Sequence, residues 1–278
     1  RVIDAADFEL VRELLRRRAG IVLDDGKEYL VETRLSSVCR RLSLETPKAL
    51  LDGARAGDEG MTLELVEALT TNETSWFRDP RVYTALEKGV LPALLESRRS
   101  ARRLRIWSAA CSSGQEPYTV AILLEAAFPE TLRWDVEIVA TDLDTKVLEK
   151  AKEGVYNQLE VNRGLPARTL LTHFDRDGRH FRAKDALRHK VSFRQLNLIS
   201  DDYPEGPFDL VLIRNVLIYF DVDTKRRVLD GVLRNLAPDG YVLLGGAETT
   251  LNIHEGYARE RIGQATVYRP KDSLAKAS

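Results

Sequence analysis

The chain reads as an α/β protein, with a small helical N-terminal domain followed by an open, mostly parallel sheet carrying helices on both faces. Three observations predict this. Within residues 1–80, apolar side chains recur at helical spacing, as in Phe8, Val11, Leu14 and Leu15. From about residue 104, short apolar runs alternate with helical stretches. Near the end, 257–262 and 265–269 flank Gly263-Gln264 in the pattern of an antiparallel hairpin. The expected division is a helical domain over 1–80 and a sheet domain over 81–278.

In the first domain, Asp4 and Asp7 precede the opening apolar stripe as caps. Asp24-Asp25-Gly26 marks a turn, and a second helix follows with Val31, Leu35, Val38 and Leu42 on one stripe. Pro47 opens a third helix near its first turn. Residues 53–60, rich in Gly and Asp, read as a loop, and 61–69 as a further helix. In the second domain, strands are expected at 104–110, 136–141, 191–197, 208–214 and 241–244, with helices at 116–127, 144–153 and 222–236. Residues 154–190 break the alternation and read as a small β-rich insertion with short strands at 180–183 and 187–191.

Lys plus Arg number 42 and Asp plus Glu 43, so the formal net charge is −1 and no basic excess suggests nucleic acid. The two cysteines, Cys39 and Cys111, suit a reducing cytoplasm better than a disulfide scaffold. No apolar run approaches the ~20 residues of a membrane span, and the N-terminus has no signal-peptide pattern. The start at Arg1 is that expected of a trimmed chain, and 271–278 read as a frayed end or a linker. The four histidines lack the close pair spacing of a zinc helix, so no metal site is expected.

Polar residues interrupt the apolar pattern at a few places. Trp107-Ser108-Ala109-Ala110-Cys111-Ser112-Ser113-Gly114-Gln115-Glu116-Pro117-Tyr118 reads as a buried strand breaking into a small-residue turn and a helix. Small residues there let the backbone approach a ligand. Only Gly114 is present of a G-x-G-x-x-G fingerprint, which argues against NAD or FAD. Glu116 either faces a ligand or is a solvated first-turn residue. Asp142 ends the second strand and either accepts from ribose hydroxyls or caps a helix, for which Asp144 is the better placed. Asn197-Leu198 follow the third strand. Arg214-Asn215 interrupt the apolar run 208–220, and such groups are costly to bury unpaired, so they belong at the strand's open end. Asn72-Glu73-Thr74-Ser75-Trp76-Phe77-Arg78 is a dense polar, aromatic and cationic string on what reads as a helical stretch.

Together these strings resemble the signature of the chemotaxis receptor methyltransferases, the CheR family, which move a methyl group from S-adenosylmethionine to receptor glutamates. The likeness runs through essentially the whole chain and includes Gly20-Ile21 and Tyr29-Leu30-Val31-Glu32-Thr33-Arg34-Leu35. It implies a class I methyltransferase sheet, Rossmann-like, ending in an antiparallel hairpin. It also implies that Asn72, Thr74 and Arg78 close over the cofactor, with Arg78 on its carboxylate. Glu116 would face its ammonium or sulfonium, Asp142 its ribose, and Asn197 and Leu198 its adenine, with Arg214 and Asn215 at the strand end. In the family a comparable insertion contacts receptors. Three departures stand out. Trp76-Phe77 replaces a double aromatic, Gly114-Gln115-Glu116-Pro117 replaces G-E-E-P, and Gly245-Gly246-Ala247-Glu248 replaces G-H-S-E.

The resemblance implies a protein-glutamate O-methyltransferase that yields glutamate methyl esters and S-adenosylhomocysteine. Its partners would be the cytoplasmic helices of methyl-accepting chemoreceptors. A cytoplasmic monomer is expected, with no nucleic acid and no insertion into the membrane. Glutamate has a reference pKa of ~4.3 and is already a nucleophile at neutral pH, so no general base is needed. Arg214 and Tyr219 are expected to shape the substrate pocket. An acidic receptor helix should meet a basic face. Lys27, Arg34 and Arg41 offer one at seven-residue intervals with Arg40 adjacent, unless this is an ordinary solvated helix face. The run Arg98, Arg99, Arg102, Arg103 and Arg105 reads as a charged linker or a site for an acidic partner. Two other readings stay open: a methyltransferase for another protein of a chemotaxis-like pathway, and a non-catalytic cofactor-binding module.

Overall fold

The computed structural model describes residues 3–271. The remainder of the C-terminal segment, from 272 onward, lies outside the described residues, as do residues 1 and 2. The chain forms two compact units. One comprises the residues through Thr71 together with Tyr219–Lys225, and the other comprises Asn72–Ile218 with the residues from Arg226 onward.

The first unit is helical. Helix α1 (Ala5–Ala19) starts at Asp4, whose carboxylate accepts from the Asp7 N–H (2.8 Å). Asp7 is no cap. It is buried, and Arg55 (3.0 Å) and Lys48 (3.4 Å) offset its desolvation and hold its carboxyl below the ordinary range. Helix α2 (Glu28–Leu42) buries Val31, Leu35 and Val38. Helix α3 (Pro47–Arg55) has Pro47 in its first turn and Thr46 as cap. Helix α4 (Glu59–Leu69), capped by Asp58, packs against α1, α2 and α3. The loop expected over 53–60 is therefore much shorter: helix propensity carries α3 to Arg55, and Asp58 restarts the chain as α4. Tyr219–Lys225 joins this unit through the Val22 N–H to Tyr219 O bond (2.8 Å), a single bridge between Ile21 and Phe220, and the Arg16–Asp221 pair (3.3 Å).

The second unit opens with α5 (Pro80–Ala85), a π-helical turn (Leu86–Val90) and α6 (Leu91–Ser97). Strand β1 (Arg103–Ala109), α7 (Gln115–Ala127), β2 (Asp135–Asp142) and α8 (Thr145–Glu153) follow. The insertion comprises β3 (Val155–Asn157), α9 (Gln158–Asn162), α10 (Ala167–His173), β4 (Phe174–Asp177) and β5 (His180–Ala183). Its three strands pair antiparallel in the order β3-β5-β4. The strand expected at 187–191 is instead a helical turn, α11 (Asp185–Arg188), and extended chain resumes with β6 (Val191–Gln195). The pattern then runs β7 (Phe208–Ile213), a 3-10 turn (Leu217–Tyr219), α12 (Val222–Arg234), β8 (Leu236–Leu244), β9 (Tyr257–Ile262) and β10 (Ala265–Pro270).

Seven strands form the main sheet in the order β6-β2-β1-β7-β8-β10-β9. The first five are parallel, and β10 and β9 add an antiparallel edge. This is the Rossmann-like sheet of class I methyltransferases, with the hairpin at its end. Strand β7 is buried at every residue, as a central parallel strand covered on both faces must be. The order reverses at β1, so the C-terminal ends of β1, β2 and β7 face the crevice where such sheets take ligands.

The arginine run before β1 is neither a linker nor an open anion site. Arg98 bonds Asp209 (2.8 Å) and Asp239 (2.6 Å), Arg103 pairs with Asp135 (3.2 Å), and Arg105 pairs with Glu137 (2.6 Å) while lying 4.7 Å over the Phe208 ring. These guanidiniums stitch the N-terminal ends of neighbouring strands together. Asp209 is nearly buried and also accepts from the Arg105 N–H (2.8 Å), so losing Arg98 strands a buried charge. Arg98→Ala should cost about 3 kcal/mol in denaturant unfolding, most of it from Asp209 because Asp239 is more open to water. Arg98 holds Asp239 well below its ordinary pKa of 3.8, so that contribution is complete above 3.8 and is lost as pH falls from there through the lowered value. The gap between variant and parent should therefore narrow on acidification below about pH 3.8.

Candidate functional site at the C-terminal end of the sheet

Between β1 and α7 the chain makes a compact turn. Ala110, Ser112 and Gly114 all adopt left-handed backbone (φ 60°, 50° and 93°). Two of these carry a side chain, so the turn stores strain of the kind found at ligand sites. Its stabilising bonds come from the neighbouring strand. The Cys111 N–H donates to Thr141 O (2.9 Å) and the Ser112 N–H to Asp142 Oδ2 (2.8 Å). Asp142 Oδ1 accepts from the Asp144 N–H (3.0 Å). Burial pushes the Asp142 carboxyl up to about 6, aided by repulsion from Asp144 and opposed by these two backbone bonds. Asp144 is the cap of α8, accepting from the Lys146 N–H (2.8 Å) and Val147 N–H (3.4 Å). The Cys111 thiol is raised well above its ordinary value by burial and by Asp142 and Glu116.

The string 72–78 is not helical. Helix α4 stops at Leu69, and the following residues form an irregular strap. Asn72 donates from Nδ2 to Asp144 Oδ2 (2.7 Å), and its carbonyl accepts from the Ser112 hydroxyl (2.7 Å). Thr74 is half-buried. Trp76 is buried edge-on against Tyr156 (5.0 Å) and Phe174 (5.4 Å) at the root of the insertion. Arg78 donates to Glu73 O (2.9 Å), and its own carbonyl accepts from Arg214 Nη2 (2.6 Å).

Arg214 ends β7 with its side chain only 2 % exposed. Nη1 reaches Glu116 Oε2 (3.0 Å), and the guanidinium lies 5.8 Å from the Tyr83 ring centroid. Burial alone would depress its pKa, but Glu116, Tyr83 and Asp79 outweigh that and raise it. Glu116 Oε1 also accepts from the Ser108 hydroxyl (2.7 Å), so it is neither a solvated first-turn residue nor a free carboxylate. Two buried polar atoms here lack a partner among the described residues: Arg214 Nε and the Tyr83 hydroxyl. Burial, then Glu116, raises the Tyr83 phenol out of reach of neutral pH.

Asn215 sits in left-handed backbone (φ 58°). Its N–H donates to Glu248 Oε2 (2.8 Å), which also accepts from the Gly245 N–H (2.6 Å). Glu248 Oε1 takes the Val216 N–H (2.9 Å) and Ile218 N–H (3.3 Å). A Cβ at Gly245 would lie 2.7 Å from Asn215 Nδ2 and from Glu248 Oε2, so this position tolerates only glycine. Asn197 is half-buried, with Oδ1 accepting from the Ile199 N–H (3.3 Å), and Leu198 is buried with its carbonyl accepting from the Tyr203 hydroxyl (2.7 Å). Asn72, Thr74, Arg78, Glu116, Asp142, Asn197, Leu198, Arg214 and Asn215 thus all belong to the second unit, at or beside the C-terminal ends of its parallel strands.

This arrangement is matched along the sequence by the CheR methyltransferase SAM binding domain over residues 72–264 and by the CheR methyltransferase all-alpha domain over residues 6–70. The chain belongs to the CheR methyltransferase family. Chemotaxis protein methyltransferase 1 of Pseudomonas aeruginosa is 40% identical over 96% of this chain and 98% of its own length. Chemotaxis protein methyltransferase Cher2 of Pseudomonas putida is 36% identical over 95% and 98%, and the chemotaxis protein methyltransferase of Vibrio parahaemolyticus 38% over 97% and 98%. A TehB-like SAM-dependent methyltransferase from Corynebacterium glutamicum superposes with a TM-score of 0.40 at 16% identity, covering 69% of this chain and 95% of that one. The chain is accordingly an S-adenosylmethionine-dependent methyltransferase of chemotaxis.

Tyr219 and the basic residues of α2 belong to the first unit. Tyr219 is half-buried at the end of its 3-10 turn. Lys27 precedes α2 and is exposed, as is Arg40. Arg34 is half-buried and donates to Thr70 O (2.7 Å), closing the end of α4. Arg41 is paired with Glu64. Two of the four expected substrate contacts thus already serve the unit's own structure. Glu248 and Tyr83 were not expected at the site. The sequence signal for Glu248 is an acid just after the glycine pair that ends a strand. Tyr83 carries none, because its partners lie far away along the chain.

Glu248→Ala should leave four backbone N–H groups without their acceptor, cost about 3 kcal/mol of stability and lower the Tm by several degrees. Thermal unfolding followed by circular dichroism checks this. Among no-ligand effects, Asp142 runs opposite to ordinary carboxylates. Its raised pKa gives stability that is complete below about pH 3.8 and lost as pH rises through about 6.

Proposed function

We propose that this methyltransferase esterifies glutamate side chains of a methyl-accepting chemoreceptor. S-adenosylmethionine supplies an electrophilic methyl group on sulfur. The S–CH3 bond breaks as a bond forms to a carboxylate oxygen, giving a glutamate methyl ester and S-adenosylhomocysteine. The observation that carries the choice of acceptor is the state of the titratable groups at the strand ends. Glu116 is held by Ser108 and Arg214, Asp142 by two backbone N–H groups, and Glu248 by four. Asp79 is engaged by Nε and Nη2 of Arg81. Glu116, Glu248 and Asp79 spend their oxygens on these partners, and Asp142, pushed up to about 6, is the one carboxyl of the four that could serve as a base, with both oxygens already on backbone N–H groups. A glutamate needs no such base, being ionised at neutral pH. Rate enhancement then comes from alignment.

The donor and acceptor set fits the cofactor. A Cβ on Gly114 would lie 3.0–3.2 Å from Ala151, Tyr118 and Tyr156, so the turn packs closely and stays bare. The unpartnered Arg214 Nε is a buried donor seeking an acceptor. On this reading Arg78 leaves the Glu73 carbonyl for the cofactor carboxylate, to which a guanidinium is suited. Asn72 and Thr74 close the strap, and Glu116 faces the cationic groups. Asp142 accepts from the ribose hydroxyls, and Asn197 and Leu198 flank the adenine. Arg214 and Asn215 bound the transfer point, and Tyr219 is assigned to substrate positioning. The helical domain ends near residue 71 rather than at 80, and it and the methyltransferase domain work in the cytoplasm as a monomer. Lys27, just before α2, and Arg40 on it offer contacts for an acidic receptor helix, with Arg34 and Arg41 on the same face.

Gly245-Gly246-Ala247-Glu248, which departs from the pattern the resemblance implies, favours one second reading, a methyltransferase for another protein of a chemotaxis-like pathway. The protein should be incubated with methyl-labelled S-adenosylmethionine and receptor-containing membranes, then treated with mild base. Volatile labelled methanol is expected. Label that stays on protein would rule out a carboxyl ester, and no label despite cofactor binding would point to a binding module or another substrate.

Two further outcomes follow from the residue assignments. Because burial pushes the Asp142 carboxyl up to about 6, affinity for S-adenosylhomocysteine should fall as pH drops through that value, and Asp142→Asn should weaken binding and flatten this dependence in calorimetry. Tyr219→Phe should lower turnover several-fold with product affinity unchanged. Unaltered turnover would remove the hydroxyl from the mechanism.

A further inference from the structure

Beside the glycine pair that ends β8, the second unit holds a cavity of about 300 Å³. Its wall includes Asp79, Arg81, Gly246, Glu248, Arg259 and Arg261. That volume is at the lower end for ligand sites and suits one or two side chains rather than a nucleoside.

The charges of this wall are unequal in a specific way. Both carboxylates are already committed. Asp79 takes two bonds from Arg81 (2.8 and 3.1 Å), which hold its pKa below the ordinary value. Glu248 takes four backbone N–H groups. Arg259 and Arg261 are two apart on β9, so they share one face of the strand. Both are exposed, and neither side chain makes an ion pair or hydrogen bond among the described residues. The acid between them, Glu260, lies on the other face and has its own partner in Arg269 (3.7 Å). The cavity therefore presents two uncompensated guanidiniums, each able to grip a carboxylate in bidentate fashion.

Its position ties it to the methyl-transfer site. Glu248 and Gly245 contact Asn215, and Asp79 follows directly on Arg78, whose carbonyl holds Arg214. Gly246 keeps the mouth open. A Cβ there would stand 3.6 Å from Asp79 Oδ2 and 3.8 Å from Arg81 Nη2, in ordinary contact, so any longer side chain would start at the cavity wall.

We propose that this cavity receives an acidic side chain of the protein substrate next to the methyl-accepting carboxylate, and that Arg259 and Arg261 determine specificity for acidic flanking sequence. This rests on the glutamate-methylation reading, with which it shares the site.

The test uses the full chain with S-adenosylhomocysteine bound and a hexaglutamate peptide as probe in calorimetry at low salt. The double variant Arg259→Ala/Arg261→Ala should weaken peptide binding at least tenfold and leave affinity for S-adenosylhomocysteine unchanged. The double Lys variant should retain most of the binding. Gly246→Leu, which adds bulk but no charge, should weaken it with both arginines present. Arg133→Ala, an exposed cation elsewhere on the unit, should have little effect. In the methanol-release assay the double Ala variant should raise KM for receptor about tenfold with kcat little changed. Wild-type binding and KM in the double Ala variant would overturn the proposal, as would absence of peptide binding by the parent or an equal loss in Arg133→Ala. If the parent releases no methanol with receptor, the glutamate-methylation reading fails, while the peptide titration still decides whether the cavity takes carboxylates.

Discussion

The open end of the sheet depends on one buried ion pair, Arg214 with Glu116. Removing a guanidinium from water costs several kcal/mol, and that cost is recovered only by close, well-aligned partners. Here the partners come from three separate stretches of chain: β7 supplies the arginine, the first turn of α7 the glutamate, and the strap the Arg78 carbonyl. Breaking any one contact strands a buried charge, so the three stretches keep one arrangement. The strap is further tied to the β1–α7 turn by Ser112 and to α8 by Asn72. A loop with no secondary structure of its own is thereby held as firmly as a helix, and catalysis by alignment requires that firmness.

The same region concentrates strained backbone and buried charge. Phe77, Asp79, Ala110, Ser112 and Asn215 all take positive φ, and Asp142 is a buried carboxyl that would be more stable protonated. Such features persist only where the surroundings over-determine them, and they cluster where ligands bind. The remainder of the unit supplies the compensation: an apolar core running from Trp76 to Val267, and the arginine stitching at the opposite ends of the strands.

Much of this was legible in the sequence. Apolar periodicity gave the helices of the first unit and the main strands, because each element buries one face or both. Polar residues at the ends of apolar runs marked the strand ends, since Asp142, Arg214 and Asn215 are too costly to bury in mid-strand. The errors have physical causes. Residues 72–78 looked helical because they follow a helix, yet Thr70, Thr71 and Asn72 have low helix propensity, and bonds to Asp144 and Ser112 replace the helical ones. The arginine run looked like a linker because its partners, Asp209, Glu137 and Asp239, lie far along the chain. Arg34 and Arg41 looked free for the same reason. Glu248 was missed as an anchor because its four donors are backbone groups, which no side-chain pattern announces.

Where the cations stand also bears on the chemistry. A carboxylate attacking a methyl group must keep its electron pair available, and a guanidinium bound directly to it would bind the ground state more tightly than the transition state. Arg214 already gives Nη1 to Glu116 and Nη2 to a carbonyl, so most of its charge is countered before any acceptor arrives and only Nε is left to donate. The uncompensated guanidiniums are on β9, at a cavity beside the strand end, rather than on Arg214, which we propose bounds the transfer point. Attraction exerted there on a neighbouring acid would bring an acidic helix into place without quenching the oxygen that attacks. Binding strength and nucleophilicity, which compete when one cation serves both, are then assigned to different residues.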